Sequence, residues 1–213
     1  MASRKLVLIG FMGAGKSTAA RSAAEALGRE AVDADRVIEQ RMGRPVGEIF
    51  ADSGEAAFRE AEEQVTLELL GDAAVHVLAL GGGAIGSEPV RRALSEHVVV
   101  WLDIALDTAW GRVAGSGRPL AADRDRFQRL YEQRLPVYGA LADVTVPGER
   151  LDVMPEVLDA IQGLPPRAKM LWAASASGDY PVYIGPGLVT EHHFWPASVL
   201  GRRFLVSDGN VAR

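Results

Sequence analysis

The sequence predicts an α/β protein built on a parallel sheet with helices on both faces. Short apolar or β-branched runs alternate with stretches of helical periodicity, as strands and crossover helices do in such sheets. In addition, residues 10–18 fit the pattern G-x-x-x-x-G-K-[ST] and follow an apolar run at residues 6–9. A buried strand therefore leads through a glycine-rich loop into a helix, which is the structural context in which this pattern binds phosphate.

Apolar periodicity and capping residues set the order of the predicted elements. Gly28 and Gly43 stand where a left-handed residue ends a helix, whereas Asp35 and Ser87 occupy positions typical of a helix N-cap. Residues 114–123 are rich in glycine and alanine and predict a mobile loop. The predicted elements are strand 5–9, helix 17–27, strand 31–33, helix 35–42, helix 54–70, strand 75–80, helix 87–95, strand 98–102, helix 107–113, helix 124–135, strand 144–146 and helix 154–161.

Composition excludes several classes of protein. The 213 residues carry a net charge of −5, which argues against a nucleic-acid surface held by bulk electrostatics. No apolar run approaches the roughly 18–20 residues of a membrane span, and the N-terminus does not resemble a signal peptide. The chain contains no cysteine, so disulfides and thiolate metal sites are excluded. We therefore expect a cytoplasmic protein without nucleic-acid or membrane partners.

The glycine-rich loop predicts a phosphate-binding site. Glycines permit the left-handed turns that aim successive backbone N–H groups at an anion, beside a helix N-terminus that also favours negative charge. Lys16 would then reach the β- and γ-phosphates of a nucleotide, and the Ser17 hydroxyl would ligate Mg²⁺. The alternative is an ordinary strand–turn–helix with a solvated lysine.

Polar and glycine residues fall at the carboxyl ends of other predicted strands, where open α/β sheets bind ligands. Asp33 can hold Mg²⁺ through a water while Asp35 points at an acceptor hydroxyl, although the pair could also be an N-cap carboxylate and a solvated neighbour. Gly81–Gly83 would let a substrate approach the backbone, or form a tight turn. Asp103 closes a further strand.

Three arginines complete the candidate site. Arg59, Arg118 and Arg134 could each be a solvated surface residue. Together they could bind a carboxylate bidentately and neutralise charge on a transferring phosphoryl group.

Residues 4–163 resemble a bacterial shikimate kinase. The resemblance implies a P-loop, nucleoside-monophosphate-kinase-like three-layer sandwich with a five-stranded parallel sheet and a mobile lid. It also implies ATP and Mg²⁺ as cofactors, and phosphorylation of shikimate at its 3-hydroxyl in chorismate and aromatic amino-acid biosynthesis. Six ordered motifs carry it: residues 10–18, 33–39 with 49–50, 54–62, 81–84, 118–120 and 134–138.

The resemblance assigns roles residue by residue. It implies that shikimate is bound by Asp35, Arg59, Gly81, Gly82, Gly83 and Arg134, and that the two arginines bind its carboxylate. It implies that the nucleotide is bound by Gly13, Ala14, Gly15, Lys16, Ser17 and Thr18, by Arg118 from the lid, and by Arg112 near the adenine. Ser17 and Asp33 are the implied metal ligands, and Lys16, Asp35 and Arg118 the implied catalytic residues.

The C-terminal segment has a separate resemblance. Residues 178–187 and 203–212 are similar to the opening strands of 3-dehydroquinate synthase, an enzyme that needs NAD and a divalent metal. We therefore expect a kinase domain at 1–163, a linker at 164–169, and at 170–213 the start of a fused synthase without activity of its own. The alternative is a kinase-specific extension. We expect the kinase domain to be monomeric.

Two other functions remain open at this point. A related small-molecule kinase, for gluconate or a nucleotide, would use the same phosphate loop with another acceptor pocket. A non-catalytic nucleotide-binding module is disfavoured by the complete set of Lys16, Ser17, Asp33 and Asp35, and the pair of Arg59 with Arg134 favours an anionic acceptor.

Overall fold

The computed structural model describes residues 4–115, 119–165, 167–176 and 178–188. Over these ranges the chain forms one sheet, seven α-helices and three short 3-10 turns. The elements are β1 (Leu6–Gly10), α1 (Lys16–Ala26), β2 (Ala31–Asp33), α2 (Ala34–Met42), α3 (Val46–Gly71), β3 (Val77–Ala79), a turn (Ala84–Gly86), α4 (Glu88–Leu94), β4 (Val98–Asp103), α5 (Leu106–Val113), a turn (Pro119–Ala121), α6 (Arg124–Leu141), β5 (Val144–Pro147), a turn (Leu151–Val153), α7 (Met154–Ile161), β6 (Lys169–Ala173) and β7 (Tyr180–Ile184).

The strands form a sheet in the order β2-β3-β1-β4-β5-β6-β7. All pairings from β2 to β6 are parallel, and β7 is antiparallel to β6. Every residue of the central strand β1 is buried. Because successive side chains of a strand point to opposite faces, both faces of the sheet are covered there. The predicted α/β class is therefore confirmed.

The sheet is larger than the five parallel strands implied by the resemblance. Strands β1–β5 supply those five, but β6 pairs with β5 through Met170 and Leu171, and β7 continues from β6. A free strand edge presents unpaired N–H and C=O groups, and Met170 and Trp172 add a buried apolar face that holds the new strand there. Lys169, expected in a linker, begins β6. Residues 203–212 lie outside the described ranges.

Two local expectations need correction. Asp33, and not Asp35, is the N-cap of α2, since its carboxylate accepts hydrogen bonds from the backbone N–H groups of Asp35 and Arg36 at 3.1 and 3.4 Å. Helix α3 consists of two segments that meet at Gly54, whose φ of +81° is not helical: the second matches the predicted helix 54–70, whereas the first, from Val46, was not predicted. None of the described helices is both long enough and apolar enough to cross a membrane.

Gly10→Ala is expected to lower the free energy of unfolding by about 1–3 kcal/mol, the usual cost of overpacking. Gly10 has a φ of +149°, and a Cβ on it would lie 2.8 Å from the Leu102 carbonyl oxygen, so β1 and β4 would have to separate. Urea denaturation measures the change. Gly71→Ala is the matched control, because no described atom outside its own helix backbone lies within 4 Å of that Cβ position. Equal midpoints for the two variants would contradict the prediction.

Candidate active site

The phosphate loop joins β1 to α1. Gly13 and Gly15 have φ values of +81° and +87°, the left-handed conformations that the sequence pattern predicts, and Gly15 is the N-cap of α1. The Lys16 ammonium donates hydrogen bonds to the carbonyl oxygens of Gly10 and Phe11 at 3.0 and 3.3 Å. Lys16 therefore lies over the loop, at the helix N-terminus that favours an anion.

A helix and a loop pack against the phosphate loop at its glycines. A Cβ on Gly13 would lie 2.9 Å from the Ala109 carbonyl oxygen of α5, and a Cβ on Gly15 would lie 2.5 Å from a Leu151 methyl group. Arg112 donates hydrogen bonds to the carbonyl oxygens of Gly13 and Gly148 at 2.9 and 3.2 Å. The phosphate loop is thus held by α5 on one side and by the loop after β5 on the other.

Ser17 and Asp33 meet at the start of α1. The Ser17 hydroxyl donates a hydrogen bond to the Asp33 carboxylate, so the two candidate metal ligands lie side by side. Both are hard oxygen donors, which suit Mg²⁺, an ion that keeps several waters and uses substrate phosphates as ligands. Among the described residues, no group of three or more His, Asp or Glu is placed to hold a metal ion. Waters and substrate phosphates would therefore have to supply the other ligands.

A cavity of about 520 Å³ opens beside the phosphate loop. It brings together most of the residues that sequence predicts for metal and acceptor binding. Leu120, from the turn after residues 116–118, also reaches it. The predicted residues that line it are Ser17, Asp33, Asp35, Arg59, Gly82, Gly83 and Arg134.

The triple glycine after β3 leaves space for side chains of α2 and α3. A Cβ on Gly81 would lie 2.3 Å from a Glu62 oxygen and 2.5 Å from an Asp35 oxygen, and one on Gly83 would overlap the Arg59 guanidinium. Gly82 has more room, with the Arg134 guanidinium as its nearest neighbour at 3.6 Å. Gly82 and Gly83 therefore face the cavity, whereas Gly81 makes space for two carboxylates.

Arg59 is held in place by carboxylates and aromatic rings. Its guanidinium pairs with the buried Glu62 at 2.5 Å and with Glu55 at 3.2 Å. It also lies 5.6 and 5.4 Å from the ring centroids of Phe50 and Phe58, within the range of cation–π attraction. These contacts fix the planar, forked group of Arg59 at the cavity wall.

Arg134 reaches the same cavity from α6. Burial lowers its pKa, and the Tyr138 phenol one turn later opposes that shift. Tyr138 is 1% exposed, and its hydroxyl donates a hydrogen bond to the Gly82 carbonyl oxygen at 3.0 Å. Burial also raises the pKa of Tyr138 to about 12, so the phenol stays protonated and remains a donor. Tyr138 thus connects Arg134 to the triple glycine.

Two predicted residues remain, and two supporting residues were not predicted as part of the site. Arg118 lies outside the described residues. Asp103 does not line the cavity, and its carbonyl oxygen instead accepts a hydrogen bond from the Gly148 N–H at 2.5 Å. Glu62 and Tyr138 lie within motifs that sequence analysis singles out, but their buried supporting contacts were not predicted. A glutamate three residues after an arginine was the available signal for Glu62.

Comparisons with known proteins agree with this geometry. The family model described as shikimate kinase matches residues 12–162. A shikimate kinase of Mycobacterium marinum is 45% identical over 152 residues, covering 68% of this chain and 81% of that protein. One of Thermobifida fusca is 46% identical over 152 residues, covering 68% of this chain and 87% of that protein.

A solved structure shows the same likeness in three dimensions. Shikimate kinase from Acinetobacter baumannii, in complex with shikimate, aligns with a TM-score of 0.71 at 34% identity, covering 77% of this chain and 96% of that chain. The family match spans most of the sequence and includes all the residues that line the cavity. The chain therefore belongs to the shikimate kinase family.

Proposed function

We propose that this protein transfers the γ-phosphoryl group of ATP to the 3-hydroxyl of shikimate, a step in chorismate and aromatic amino-acid biosynthesis. The observation that carries the proposal is one cavity that joins the phosphate loop to two arginines and Asp35. The family and the structural likeness to a shikimate kinase with shikimate bound support it.

Arg59 and Arg134 would bind the shikimate carboxylate. A guanidinium and a carboxylate form parallel hydrogen bonds that set orientation as well as affinity. Burial lowers the pKa of Arg134 because it removes solvation from the guanidinium, and a ligand carboxylate would replace that lost solvation. Glu62 holds Arg59, and Tyr138 holds Arg134, so that both guanidinium groups would reach the same ligand.

Asp35 would accept a hydrogen bond from the attacking 3-hydroxyl and take its proton. It lies in the first turn of α2, where its backbone N–H is bound to the Asp33 carboxylate. This hydrogen bond links Asp35, which would orient the acceptor, to Asp33, which lies beside Ser17. Phosphoryl transfer depends mainly on such positioning and on charge stabilisation.

The nucleotide would lie along residues 13–18. Backbone N–H groups of the loop would hold the phosphates, with the Lys16 ammonium following charge on the moving group. Arg112, tied to Gly13 and Gly148, would border the adenine end. Ser17 and Asp33 would hold Mg²⁺, which neutralises charge on the phosphates when bound. Arg118 keeps its sequence-based assignment to the phosphates.

The same proposal covers the organisation of the chain. All described residues assigned to ATP or shikimate lie before residue 163, the proposed end of the kinase domain. The likeness of residues 170–213 to a dehydroquinate synthase rests on their sequence pattern, since the family match ends at residue 162. A monomeric kinase in a reducing cytoplasm is the simplest form of this proposal.

Acceptor choice is the direct test of function. We expect ADP release in a coupled assay with shikimate, and none above background with gluconate or nucleoside monophosphates. Lys16→Met, which removes the charge at the phosphates, should abolish turnover while its circular dichroism melt stays unchanged. Faster turnover with either alternative acceptor would overturn the assignment.

Arg134→Ala and Arg59→Lys are each expected to weaken shikimate binding by about ten- to a hundredfold, because hydrogen bonds to charged groups contribute roughly 1.5–3 kcal/mol. Lysine at position 59 keeps a positive charge for buried Glu62 but loses the fork. Isothermal titration with shikimate and, separately, with Mg·ATP measures both affinities. The exposed Arg92 of α4 supplies the control variant Arg92→Ala, which should bind both ligands normally. Equal losses of ATP and shikimate affinity would refute the placement of these arginines.

Asp35→Asn should reduce kcat by about a hundredfold or more, the contribution typical of a positioned general base. The amide keeps the shape and one acceptor oxygen of the carboxylate, so the dissociation constant for shikimate should change little. Steady-state kinetics paired with shikimate titration separates the two effects. If kcat is unchanged, Asp35 is not the residue that activates the hydroxyl.

A further inference from the structure

Residues 148–151, which follow β5, pack against the phosphate loop. We call them the β5 loop. A Cβ on Gly148 would lie 3.3 Å from the Ala14 carbonyl oxygen, and the Leu151 side chain occupies the space beside Gly15. Arg112 joins the two loops through its hydrogen bonds to Gly13 and Gly148. A shift of the β5 loop therefore changes the surroundings of the phosphate loop.

Arg150 connects the β5 loop to the C-terminal strands. Its guanidinium pairs with Asp179, just before β7, at 2.6 Å. It also contacts Asp152, within its own turn, at 3.2 and 3.3 Å. The Asp179 side chain is only 13% exposed and accepts a hydrogen bond from the Trp172 indole N–H at 3.4 Å. Asp179 is thus a mostly enclosed carboxylate that faces the β5 loop.

The hairpin of β6 and β7 is anchored independently of that ion pair. Lys169 donates a hydrogen bond to the Gly139 carbonyl oxygen of α6 at 2.9 Å, and the Tyr183 hydroxyl donates one to Ala160 of α7 at 3.0 Å. Met170 and Trp172 are buried in the core. The sheet therefore fixes the position of Asp179, and Arg150 is the partner that adjusts to it.

We infer that Asp179 is a positioning residue for the nucleotide. Through Arg150 it holds the β5 loop, and with it Leu151, against the phosphate loop, so that the hairpin strengthens ATP binding. The hairpin lies beyond the family match at residues 12–162, so this support is an addition to the family's domain. The inference rests on the proposed function, because it concerns the same nucleotide site.

The effect should be specific to ATP. The residues that line the acceptor cavity belong to the phosphate loop, to the region from Asp33 to Glu62, to the triple glycine, to α6 and to Leu120. Neither Arg150 nor Asp179 is among them. Loss of the ion pair should therefore loosen the nucleotide side and leave the acceptor side in place.

In the full chain, Asp179→Asn is expected to raise the dissociation constant and the KM for Mg·ATP by about two- to fivefold, the range that a partly exposed ion pair supports. The KM for shikimate should stay unchanged, and Asp179→Glu should restore ATP binding. Asparagine still accepts the Trp172 hydrogen bond, so the hairpin should remain folded. Asp152→Asn is the matched control: it removes the other carboxylate on Arg150 but leaves the tie to the hairpin intact, so ATP affinity should not change.

Charge reversal provides the second arm. Arg150→Asp and Asp179→Arg should each weaken Mg·ATP binding, and the double variant should recover most of the loss. The inference is overturned if Asp179→Asn binds ATP like wild type, if both substrates weaken equally, or if the double variant shows no recovery. ATP titration needs no acceptor. If wild-type protein fails to phosphorylate shikimate, the proposed function falls, while the titrations still decide the role of Asp179.

Discussion

Close packing at glycines determines where the site residues lie. The phosphate loop has no room for a Cβ at Gly13 or Gly15, because α5 and Leu151 already occupy those positions. At the opposite side of the site, Gly81 and Gly83 leave space for carboxylates and for the Arg59 guanidinium. In a close-packed interior, adding one methyl group would displace backbone at Gly13, the Leu151 side chain at Gly15, and charged side chains at Gly81 and Gly83. The nucleotide side and the acceptor side are thus assembled by the same means.

Two arginines line the proposed acceptor cavity, and each is held there in a different way. Burying the Glu62 carboxylate would be costly without the Arg59 guanidinium beside it, so the pair holds Arg59 at the wall. Arg134 has a different environment, in which burial lowers its pKa and a neutral phenol gives partial compensation. A ligand carboxylate would complete the interactions of both arginines. The two arginines are thus held at one cavity by different interactions.

Sequence patterns predicted the parts of the molecule that depend on local chemistry. The glycines and Lys16 of the phosphate loop, Asp33 beside Ser17, and the cavity position of Asp35 followed from motif spacing and strand ends. The pairing of Arg59 with Glu62 was visible as a spacing, but on most helices such a pair is solvated, and only the fold shows that Glu62 is buried.

Features that depend on distant parts of the chain were harder to predict. Strand β6 was not predicted, because its partner is the free edge of β5, which no local pattern reveals. The triple glycine could be interpreted as a turn or as a substrate contact. Its actual neighbours come from α2, α3 and α6. Asp179 gains its significance only because the hairpin brings it to Arg150.

The phosphate loop is supported from two directions, by α6 and by the β5 loop. On one side, Phe11 packs edge to face against Phe127 and Tyr131 of α6, with ring centroids 4.9 and 5.2 Å apart. Arg134 of the same helix lies 5.9 Å from the Phe11 ring, so the helix that carries an acceptor arginine also buttresses the nucleotide loop. On the other side, the β5 loop is held by the hairpin. A loop built on left-handed glycines has few side chains of its own to hold it, so its geometry depends on these supports. Helix α6 thus contacts both the phosphate loop and the proposed acceptor cavity, and the C-terminal hairpin is linked to the β5 loop through Arg150.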